Sequence, residues 1–418
     1  MNKIKVGIFG AGRGMDLARN FMLLGCDVVA ICDHHTERRE KAVKSLDHAV
    51  AVYDNFDEFI EHGMDVMVLA NYFHEHAPYA IRCFEKGIHV FSECISNSTM
   101  AEGIQLLRAF EKSKSIYMLA ENYPQMKFNR EIKRICDGGS LGKILYAEGE
   151  YNHPGDPHNV RFKKQCTYFE KHWRNYLPRT YYLTHSLGPI MWATGATPKK
   201  VTAFSVYAPI VGDFPSGSHN GDRVAIITTQ NDDGSVFHFT GNAGFGAHHN
   251  SYRVCGTDGQ VENSRGMGDQ VMLRYNEWTK PTPETRTASL YMPQWNDPDE
   301  EKIKTSGHGG ADYLTARTFL DCIRENRQPG HPFDIYSAVN MSSVGILAQR
   351  SVLNGGKTYD IPDFRNEADC ARYENDYESP FYYSDGREPT IPCCSDPSYK
   401  PTDTQLRLFR EMIENDEI

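Results

Sequence analysis

Residues 3–14 read KIKVGIFGAGRG, and this stretch decides the fold. From Ile4 to Ile8 apolar residues alternate with others, and Phe9 extends the run, which is typical of a buried strand. Glycines follow, and residues 15–24 then place apolar side chains at helical spacing. The pattern predicts a strand, a glycine turn and a helix.

This order of elements forms the phosphate cradle of a dinucleotide-binding unit. Gly10 lets the backbone turn sharply, and Gly12 lets it approach a pyrophosphate at the helix N-terminus. The turn also contains Arg13, and its third glycine is displaced to Gly14, where the motif would place it at Met15.

A second predicted strand, residues 28–32, ends at Asp33. A carboxylate there accepts hydrogen bonds from the adenosine ribose hydroxyls and repels a 2′-phosphate. NAD is therefore favoured over NADP, although Arg38 and Arg39 are close enough in sequence to keep NADP open.

Length and composition narrow the class of protein. The 418 residues suggest two domains and a tail. The net charge of −10 without a dense Lys/Arg run argues against nucleic acid or an anionic membrane as the main partner. The chain enters a core strand just after Met1, and it has no apolar run long enough to span a bilayer, so we expect a cytoplasmic protein. The 11 cysteines lack metal-ligand spacing and are interpreted as reduced thiols, and we expect no metal.

The first domain, residues 1–121, alternates strands and helices, which predicts an α/β fold with a doubly wound parallel Rossmann sheet. Ligands of such sheets bind beyond the carboxyl ends of the strands. The candidate cofactor-binding residues at those ends are Asp33, Asn71, Glu93 and Asn122. Further predicted strands are 49–53, 66–69, 89–91 and 117–120, and the predicted helices are 36–45, 56–62, 76–86 and 99–113.

The second domain, residues 122–362, is predicted to be α+β with an open, mainly antiparallel sheet, because turn signals separate its strands. Its uncovered sheet face makes a homo-oligomer plausible. Residues 152–179 are interpreted as irregular, and residues 276–310 as a long loop. A helix near 336–353 is expected to pack back towards the first domain. The tail, residues 363–418, is expected to wrap this body or a neighbouring subunit.

Two motifs carry a resemblance to a known family. Residues 87–93, GIHVFSE, and residues 139–144, GSLGKI, resemble the Gfo/Idh/MocA family of NAD(P)-dependent sugar oxidoreductases over about residues 3–362. The chain departs from the family at Cys94, where the resemblance would place a lysine beside the nicotinamide. It departs again at Ile95, where the family has proline, and at Tyr181, where it often has aspartate.

Three further stretches are similar to the NAD-dependent α-N-acetylgalactosaminidase branch, which also lacks that lysine: Trp173-Arg174, residues 182–189 (YLTHSLGP) and residues 308–312 (HGGAD). The resemblance implies that NAD stays bound there. C3 of the sugar is oxidised, C2 loses a proton, the aglycone is eliminated, water adds and the hydride returns.

Oxidising an alcohol needs a base for the hydroxyl proton. With Cys94 in place of the lysine, His185 is the candidate base, Tyr182 one helical turn earlier is its assistant, and Tyr151 is the remaining catalytic candidate. Cys94 is open to two interpretations, a reactive thiol beside the cofactor or a buried inert cysteine. His76 lies near the expected nicotinamide, and a helix-cap or packing role is open as well.

A sugar pocket needs an aromatic surface and donors for hydroxyl groups. Its candidate residues are Tyr123, Trp173, Arg174 and His308, and simple packing or turn roles remain open for each.

Three functions stay open at this point. The first is an NAD-dependent dehydrogenase that transfers a hydride from a ring hydroxyl of a sugar or glycoside, at C3 by preference. The second is a redox-neutral glycoside hydrolase or lyase with tightly bound NAD, and the third is a non-catalytic NAD-binding protein.

Overall fold

The computed structural model describes residues 3–415. The first two residues of the predicted first domain and the last three of the predicted tail lie outside this range.

The first sheet is built from strands that alternate with helices along the chain. Its strands are β1 (Lys5–Phe9), β2 (Asp27–Cys32), β3 (Ala51–Tyr53), β4 (Val66–Leu69), β5 (His89–Ser92) and β6 (Tyr117–Leu119). The helices between them are α1 (Arg13–Leu23), α2 (Thr36–Lys44), α3 (Phe56–Phe59), α4 (His76–Glu85) and α5 (Met100–Glu111). The strands pair in parallel in the order β3-β2-β1-β4-β5-β6, which confirms the predicted doubly wound sheet.

The second sheet has nine strands. They are β7 (Ile144–Asn152), β8 (Pro198–Tyr207), β9 (Asp222–Asn231), β10 (Val236–Thr240), β11 (His249–Gly256), β12 (Gly259–Asn263), β13 (Val271–Tyr275), β14 (Ala288–Tyr291) and β15 (Tyr359–Asp360). Their order is β14-β13-β12-β11-β7-β10-β9-β8-β15. Only β7 and β10 pair in parallel among these described strands, so the sheet is open and mainly antiparallel, as predicted.

The remaining helices surround this sheet and form the tail. They are α6 (Lys127–Asp137), α7 (Val160–Cys166), α8 (Thr184–Thr194), α9 (Glu300–Thr305), α10 (Ala311–Arg324), α11 (Ile335–Leu353), α12 (Glu367–Ala371) and α13 (Asp403–Glu414). Short 3-10 helices lie at Ile60–His62, Tyr123–Gln125, Trp173–Tyr176 and His308–Gly310.

Two stretches predicted as irregular contain regular structure. The predicted loop 276–310 carries the edge strand β14 and the helix α9, and the stretch 152–179 carries α7. Neither α7 nor α9 contains a buried residue, so neither shows the apolar stripe by which a helix is recognised in a sequence. The prediction of two unstructured stretches was therefore wrong.

Helix α10 belongs to the hydrophobic core of the first domain, although it lies in the sequence after the second sheet. Phe319 on α10 is fully buried and packs edge-on against Phe21 of α1, with ring centroids 6.4 Å apart. It also contacts Phe91 of β5 at 5.2 Å. Helix α11 contacts both α5 of the first domain and β8 of the second, so the two helices join the sheets.

The tail packs against both domains of the same chain. Phe381 is fully buried, and Gln349 of α11 donates a hydrogen bond to the carbonyl oxygen of Pro392 at 3.1 Å. At its end, Gln405 of α13 donates to the carbonyl oxygen of Gly212 at 3.1 Å. Within residues 3–415 no helix has the length and apolar character needed to cross a membrane.

We expect Phe319→Ala to destabilise the nucleotide-binding half of the molecule. Removing a fully buried phenyl ring leaves a cavity and costs about 3–5 kcal/mol of unfolding free energy. The measurement is chemical denaturation. Phe204→Ala is the control, because Phe204 is 61% exposed and its loss should change the stability by about 0.5 kcal/mol or less. Equal stability losses in the two variants would contradict this packing.

Candidate active site

A cavity of about 610 Å³ runs along the carboxyl ends of the first sheet and into the second domain. Most of the residues predicted from the sequence line it. They are Gly10, Gly12, Arg13, Asp33, Asn71, His76, Glu93, Cys94, Asn122, Trp173, Arg174, Tyr182, His185 and His308. Gly14, Tyr123 and Tyr151 do not line it and instead pack against residues that do.

The glycine turn is shaped for close backbone approach. Gly10 has φ +98°, and a Cβ on it would lie 2.2 Å from the carbonyl oxygen of Ala70. A Cβ on Gly14 would lie 2.6 Å from Ile8, so Gly14 lets α1 pack onto β1. No side chain caps the N-terminus of α1, which leaves its first N–H groups available to an anion.

Asp33 lies at the adenosine end of the cavity and is 5% exposed. Its carboxylate accepts hydrogen bonds from the backbone N–H of Ala11 at 2.7 Å and of His35 at 2.8 Å. Each carboxylate oxygen can accept a further bond, so the residue fits two ribose hydroxyls.

At the other end of the cavity, buried polar atoms lack partners among residues 3–415. They are Asn71 Oδ1, His76 Nε2 and Asn122 Oδ1. His76 Nδ1 donates to the carbonyl oxygen of Ile95 at 2.8 Å, and burial lowers the pKa of the ring, so His76 is neutral. Because buried polar groups are almost always paired, these atoms fit a polar ligand, and the position corresponds to the nicotinamide end of a dinucleotide.

Arg13 connects the glycine turn to α10. Its guanidinium donates two hydrogen bonds to Asp312, at 2.7 and 2.8 Å, and Nε donates to Glu93 at 2.8 Å. Asn122 and His308 also bond to Asp312, at 2.6 and 3.1 Å. Burial alone would raise the pKa of Asp312, but the bonds from His308 and Arg13 hold it well below its usual range.

His185 at the start of α8 lies between an acid and a phenol. Its Nδ1 is 2.8 Å from Glu121 Oε1, and its Nε2 is 2.9 Å from the hydroxyl of Tyr182. Glu121 is fully buried, which favours its neutral form, but the charge and hydrogen bond of His185 outweigh the burial and lower its pKa. Burial raises the pKa of Tyr182 well above its usual value.

Cys94 lies against the same acid. Its Sγ donates to Glu121 Oε2 at 3.3 Å, and the side chain is 5% exposed. Burial, followed by the charges of Glu121 and Glu93, raises the pKa of the thiol well above its usual value. The arrangement favours the inert interpretation of Cys94 over the reactive one.

Tyrosine rings surround His185. Tyr123 stacks on it with ring centroids 4.0 Å apart, and Tyr151 meets it edge-on at 4.9 Å. The hydroxyl of Tyr252 donates to the carbonyl oxygen of His185 at 2.6 Å. These contacts hold the imidazole in one orientation.

The substrate side of the cavity is walled by Phe73, Trp173 and Arg174. Phe73 and Trp173 are stacked at 5.0 Å, and the Arg174 guanidinium lies 4.4 Å from the Trp173 ring centroid. Trp173 is only 9% exposed, so it supports Arg174 rather than offering an open face to a pyranose.

Sequence reasoning missed Glu121, Asp312, Phe73 and Tyr168. Glu121 lies two residues after the end of β6 and precedes Asn122, so the rule about strand ends would have found it. Asp312 was part of the quoted HGGAD stretch. For Phe73 and Tyr168 the sequence contains no signal, because their contacts join segments far apart in the chain.

We expect Asp312→Asn to lower the unfolding free energy by about 1.5–3 kcal/mol at neutral pH, since charge-assisted hydrogen bonds are lost. The folded-state pKa of Asp312 is depressed, so its contribution is full above the unfolded value of about 3.9 and is lost as pH falls through the folded value. Wild type and variant should therefore converge in acid.

Denaturation across pH is the measurement. Asp321→Asn on the same helix is the control, because its pair with Arg324 is exposed and should contribute about 1 kcal/mol or less. A difference between wild type and Asp312→Asn that stays constant from neutral pH into acid would contradict the role of its charge.

Comparisons with known proteins identify the family of this chain. The model described as "Oxidoreductase family, NAD-binding Rossmann fold" matches residues 4–121, and the GFO/IDH/MocA C-terminal domain matches residues 129–262. The C-terminal domain of glycosyl hydrolase 109 matches residues 219–369. The two GFO/IDH/MocA models together match more than half of the chain.

Among the relatives is an alpha-N-acetylgalactosaminidase of Shewanella oneidensis, 26% identical, with 88% of this chain and 86% of the relative covered. A glycosyl hydrolase family 109 protein of Shewanella pealeana is 24% identical, with 88% and 87% covered.

Levoglucosan dehydrogenase in complex with NADH and levoglucosan shares the fold, with a TM-score of 0.69 at 17% identity over 87% of this chain and 100% of that one. The Rossmann domain with its glycine turn, Asp33 and the unpaired polar groups thus has NAD as its cofactor. The chain belongs to the GFO/IDH/MocA oxidoreductase family and carries a C-terminal domain of the glycosyl hydrolase 109 type.

Proposed function

We propose that this protein oxidises a ring hydroxyl, at C3 by preference, of a sugar or glycoside. Bound NAD supplies the acceptor for the hydride of the carbinol carbon. The observation that carries the proposal is the chain of hydrogen bonds from Tyr182 through His185 to Glu121, inside the cavity that fits the dinucleotide.

The charge of Glu121 determines which nitrogen of His185 carries the proton. In the reactive state the imidazole of His185 is neutral, and its Nδ1–H donates to Glu121, which is ionised because its pKa is lowered. His185 Nε2 then carries the lone pair, and the Tyr182 hydroxyl donates to it. This tautomer is assigned from the hydrogen-bond partners.

Tyr182 cannot lose its proton alone, because burial raises the pKa of its hydroxyl. We therefore place the substrate hydroxyl against Tyr182, which passes its own proton to His185 Nε2 as it takes the substrate proton. Glu121 stabilises the imidazolium that forms, much as an acid orients the histidine of a hydrolytic triad. His185 remains the base, and Tyr182 becomes the group that touches the substrate.

The other predicted residues take binding roles in this proposal. Arg174 donates to sugar hydroxyls, supported by Trp173, and His308 reaches the substrate from its glycine-flanked turn, held by Asp312. Tyr123 holds His185 by stacking. Asn71, His76, Glu93, Asn122 and the turn from Gly10 to Arg13 hold NAD, with Cys94 beside them.

A redox-neutral glycoside hydrolase or lyase is the second candidate, and a specific contact favours it. The hydroxyl of Tyr168 accepts a hydrogen bond from Arg38 Nε at 2.7 Å, and its ring stacks on His35 at 4.5 Å. Tyr168 follows α7, whose residues Phe162, Gln165 and Cys166 line the cavity. A segment of the second domain thus covers the adenosine end, which would retain NAD through a complete cycle.

That cycle also needs a proton donor for the oxygen of the departing aglycone. Tyr151 meets both His185 and Tyr182 edge-on, at 4.9 and 5.9 Å between ring centroids, and is the proposed group. Burial raises the pKa of its hydroxyl, so Tyr151 acts from its protonated form. The alpha-N-acetylgalactosaminidase relative supports a glycoside as the substrate class.

The open sheet supports a homo-oligomer. Its solvent-facing side carries exposed apolar side chains at Phe204, Val206, Val236 and Leu290. Exposed apolar patches of this kind mark association surfaces.

Incubating the protein as purified with a panel of aryl glycosides, without added NAD, distinguishes the two candidates. Aglycone release without accumulation of NADH is the result expected of the redox-neutral enzyme. NADH that grows only with added NAD is the result expected of the dehydrogenase. Neither signal, with NAD still bound, would contradict both and leave a non-catalytic protein.

We expect the Tyr182–His185 pair to act as one unit. Tyr182→Phe and His185→Ala should each slow single-turnover reduction of bound NAD by about 10²–10⁴-fold, as for the loss of a general base. The double variant should be no slower than the slower single variant, because either change breaks the same proton path.

Tyr181→Phe is the matched control. Tyr181 is the neighbouring tyrosine, it is 1% exposed, and its hydroxyl has no partner among residues 3–415. Its loss should leave the rate unchanged. If the rate loss of the double variant equals the product of the two single losses, the two residues do not share a proton.

A further inference from the structure

We propose that the carboxyl-terminal tail positions the substrate wall of the active site, with Phe381 as the positioning residue. The proposal rests on the proposed function, which assigns this wall of the cavity to substrate binding. The family models that match this chain end at residue 369, before Phe381.

The tail contacts the loop between β4 and α4. His74 Nε2 donates a hydrogen bond to the carbonyl oxygen of Tyr382 at 2.9 Å, and the backbone N–H of Ser384 donates to Glu75 Oε1 at 2.6 Å. Ser98 Oγ lies 2.7 Å from the Tyr383 hydroxyl and 2.8 Å from the carbonyl oxygen of His74. The tail therefore satisfies polar groups of His74 and Glu75, at the end of this loop that leads into α4.

The polar groups of His74 and Glu75 are buried when the tail is in place, so atoms of the tail and not water satisfy them. His74 and Glu75 are 2% and 5% exposed. Burial lowers the pKa of His74 to about 3, so its ring is neutral, and the bond to Tyr382 places its single proton on Nε2. Without the tail, this donor and the Glu75 carboxylate would lose buried partners, and the loop would have to move.

Phe73, in the same loop, forms the wall of the cavity. It is stacked on Trp173 at 5.0 Å and meets the ring of Tyr182 edge-on at 5.5 Å. A displacement of the loop is thus transmitted to Trp173, which supports Arg174, the proposed donor to the sugar hydroxyls.

Phe381 fills the space beneath both active-site loops. Its ring is fully buried and lies 4.8 Å from the His74 ring, 6.5 Å from Phe73 and 5.4 Å from Tyr181. Tyr181 directly precedes Tyr182. One tail side chain therefore sets the distance between the Phe73 loop and the loop that leads into α8.

If Phe381 were only a structural anchor, its loss would lower the stability of the protein without a selective effect on substrate binding. The test therefore distinguishes a positioning role from a purely structural one. In the full-length holoenzyme, Phe381→Ala should raise KM for an aryl glycoside by about tenfold, which corresponds to about 1.4 kcal/mol of binding. The rate constant kcat should fall by about twofold or less, and NAD should stay bound. Phe381→Leu should restore most of the affinity, because it refills the space.

A second readout does not depend on the function. With Trp192, Trp278 and Trp295 replaced by phenylalanine, Trp173 is the single tryptophan of the chain. Phe381→Ala should then shift the Trp173 emission, because the Phe73 stack loosens. Tyr377→Phe is the control, since this 42% exposed tail tyrosine contacts Gln105 away from the loop, and it should change neither readout.

Phe381→Ala with unchanged KM and unchanged Trp173 emission would overturn the proposal, whatever its stability. If Phe381→Ala does not fold, Tyr383→Phe replaces it. This change removes only the hydroxyl, which contacts Ser98 and Ser379, and should shift KM and emission in the same direction to a smaller extent. Absence of turnover in the wild type would contradict the proposed function alone, and the emission shift would still decide the role of the tail.

Discussion

The ion pair between Arg13 and Asp312 is the interaction on which the rest of the active site depends. Arg13 opens α1 at the phosphate cradle, and Asp312 opens α10, almost three hundred positions along the chain. Asp312 is 1% exposed, and a buried charge of this kind persists only when it is paired and hydrogen-bonded. Since Glu93, Asn122 and His308 bond to the same two residues, the pair sets the positions of the glycine turn and of the His308 turn together.

Burial determines which groups in the cavity can act chemically. It raises the pKa of Cys94 and of Tyr182, so both keep their protons. At Glu121 the bond with His185 outweighs burial and keeps the carboxylate ionised. The result is one buried negative charge behind the imidazole and a neutral phenol in front of it. Transfer of the Tyr182 proton to His185 leaves the net charge of the three side chains unchanged, and the proton that Tyr182 takes from the substrate then offsets the negative charge of Glu121.

The cavity is completed by segments that lie outside the Rossmann sheet. Tyr168 covers its adenosine end through Arg38 and His35, while the tail supports its substrate end through His74 and Phe381. Both elements cross from a distant part of the chain to the first domain. Enclosure of this kind strengthens the electrostatic interactions inside, because it excludes water.

Much of the fold followed from the sequence, because it depends on local pattern. The strand, the glycine turn from Gly10 to Gly14 and the acid at Asp33 are set by steric demands of the backbone and by short-range periodicity. The strand-end rule likewise placed Asn71, Glu93 and Asn122 at one edge of the sheet, where the cavity lies. The helical spacing between Tyr182 and His185 was sufficient to predict that their side chains meet.

The tertiary structure decided what no local pattern contains. Partners for His185 and Arg13 come from Glu121 and Asp312, at separations of 64 and 299 residues. The positions of α10 in the first core and of Phe381 beneath Phe73 arise in the same way. Hydrogen bonds, ion pairs and aromatic contacts act over a few ångströms of space, whereas sequence periodicity reports only which face of an element is buried. The sequence alone therefore determined the scaffold and the residue types of the site, and long-range packing decided which of them meet and which protons they hold.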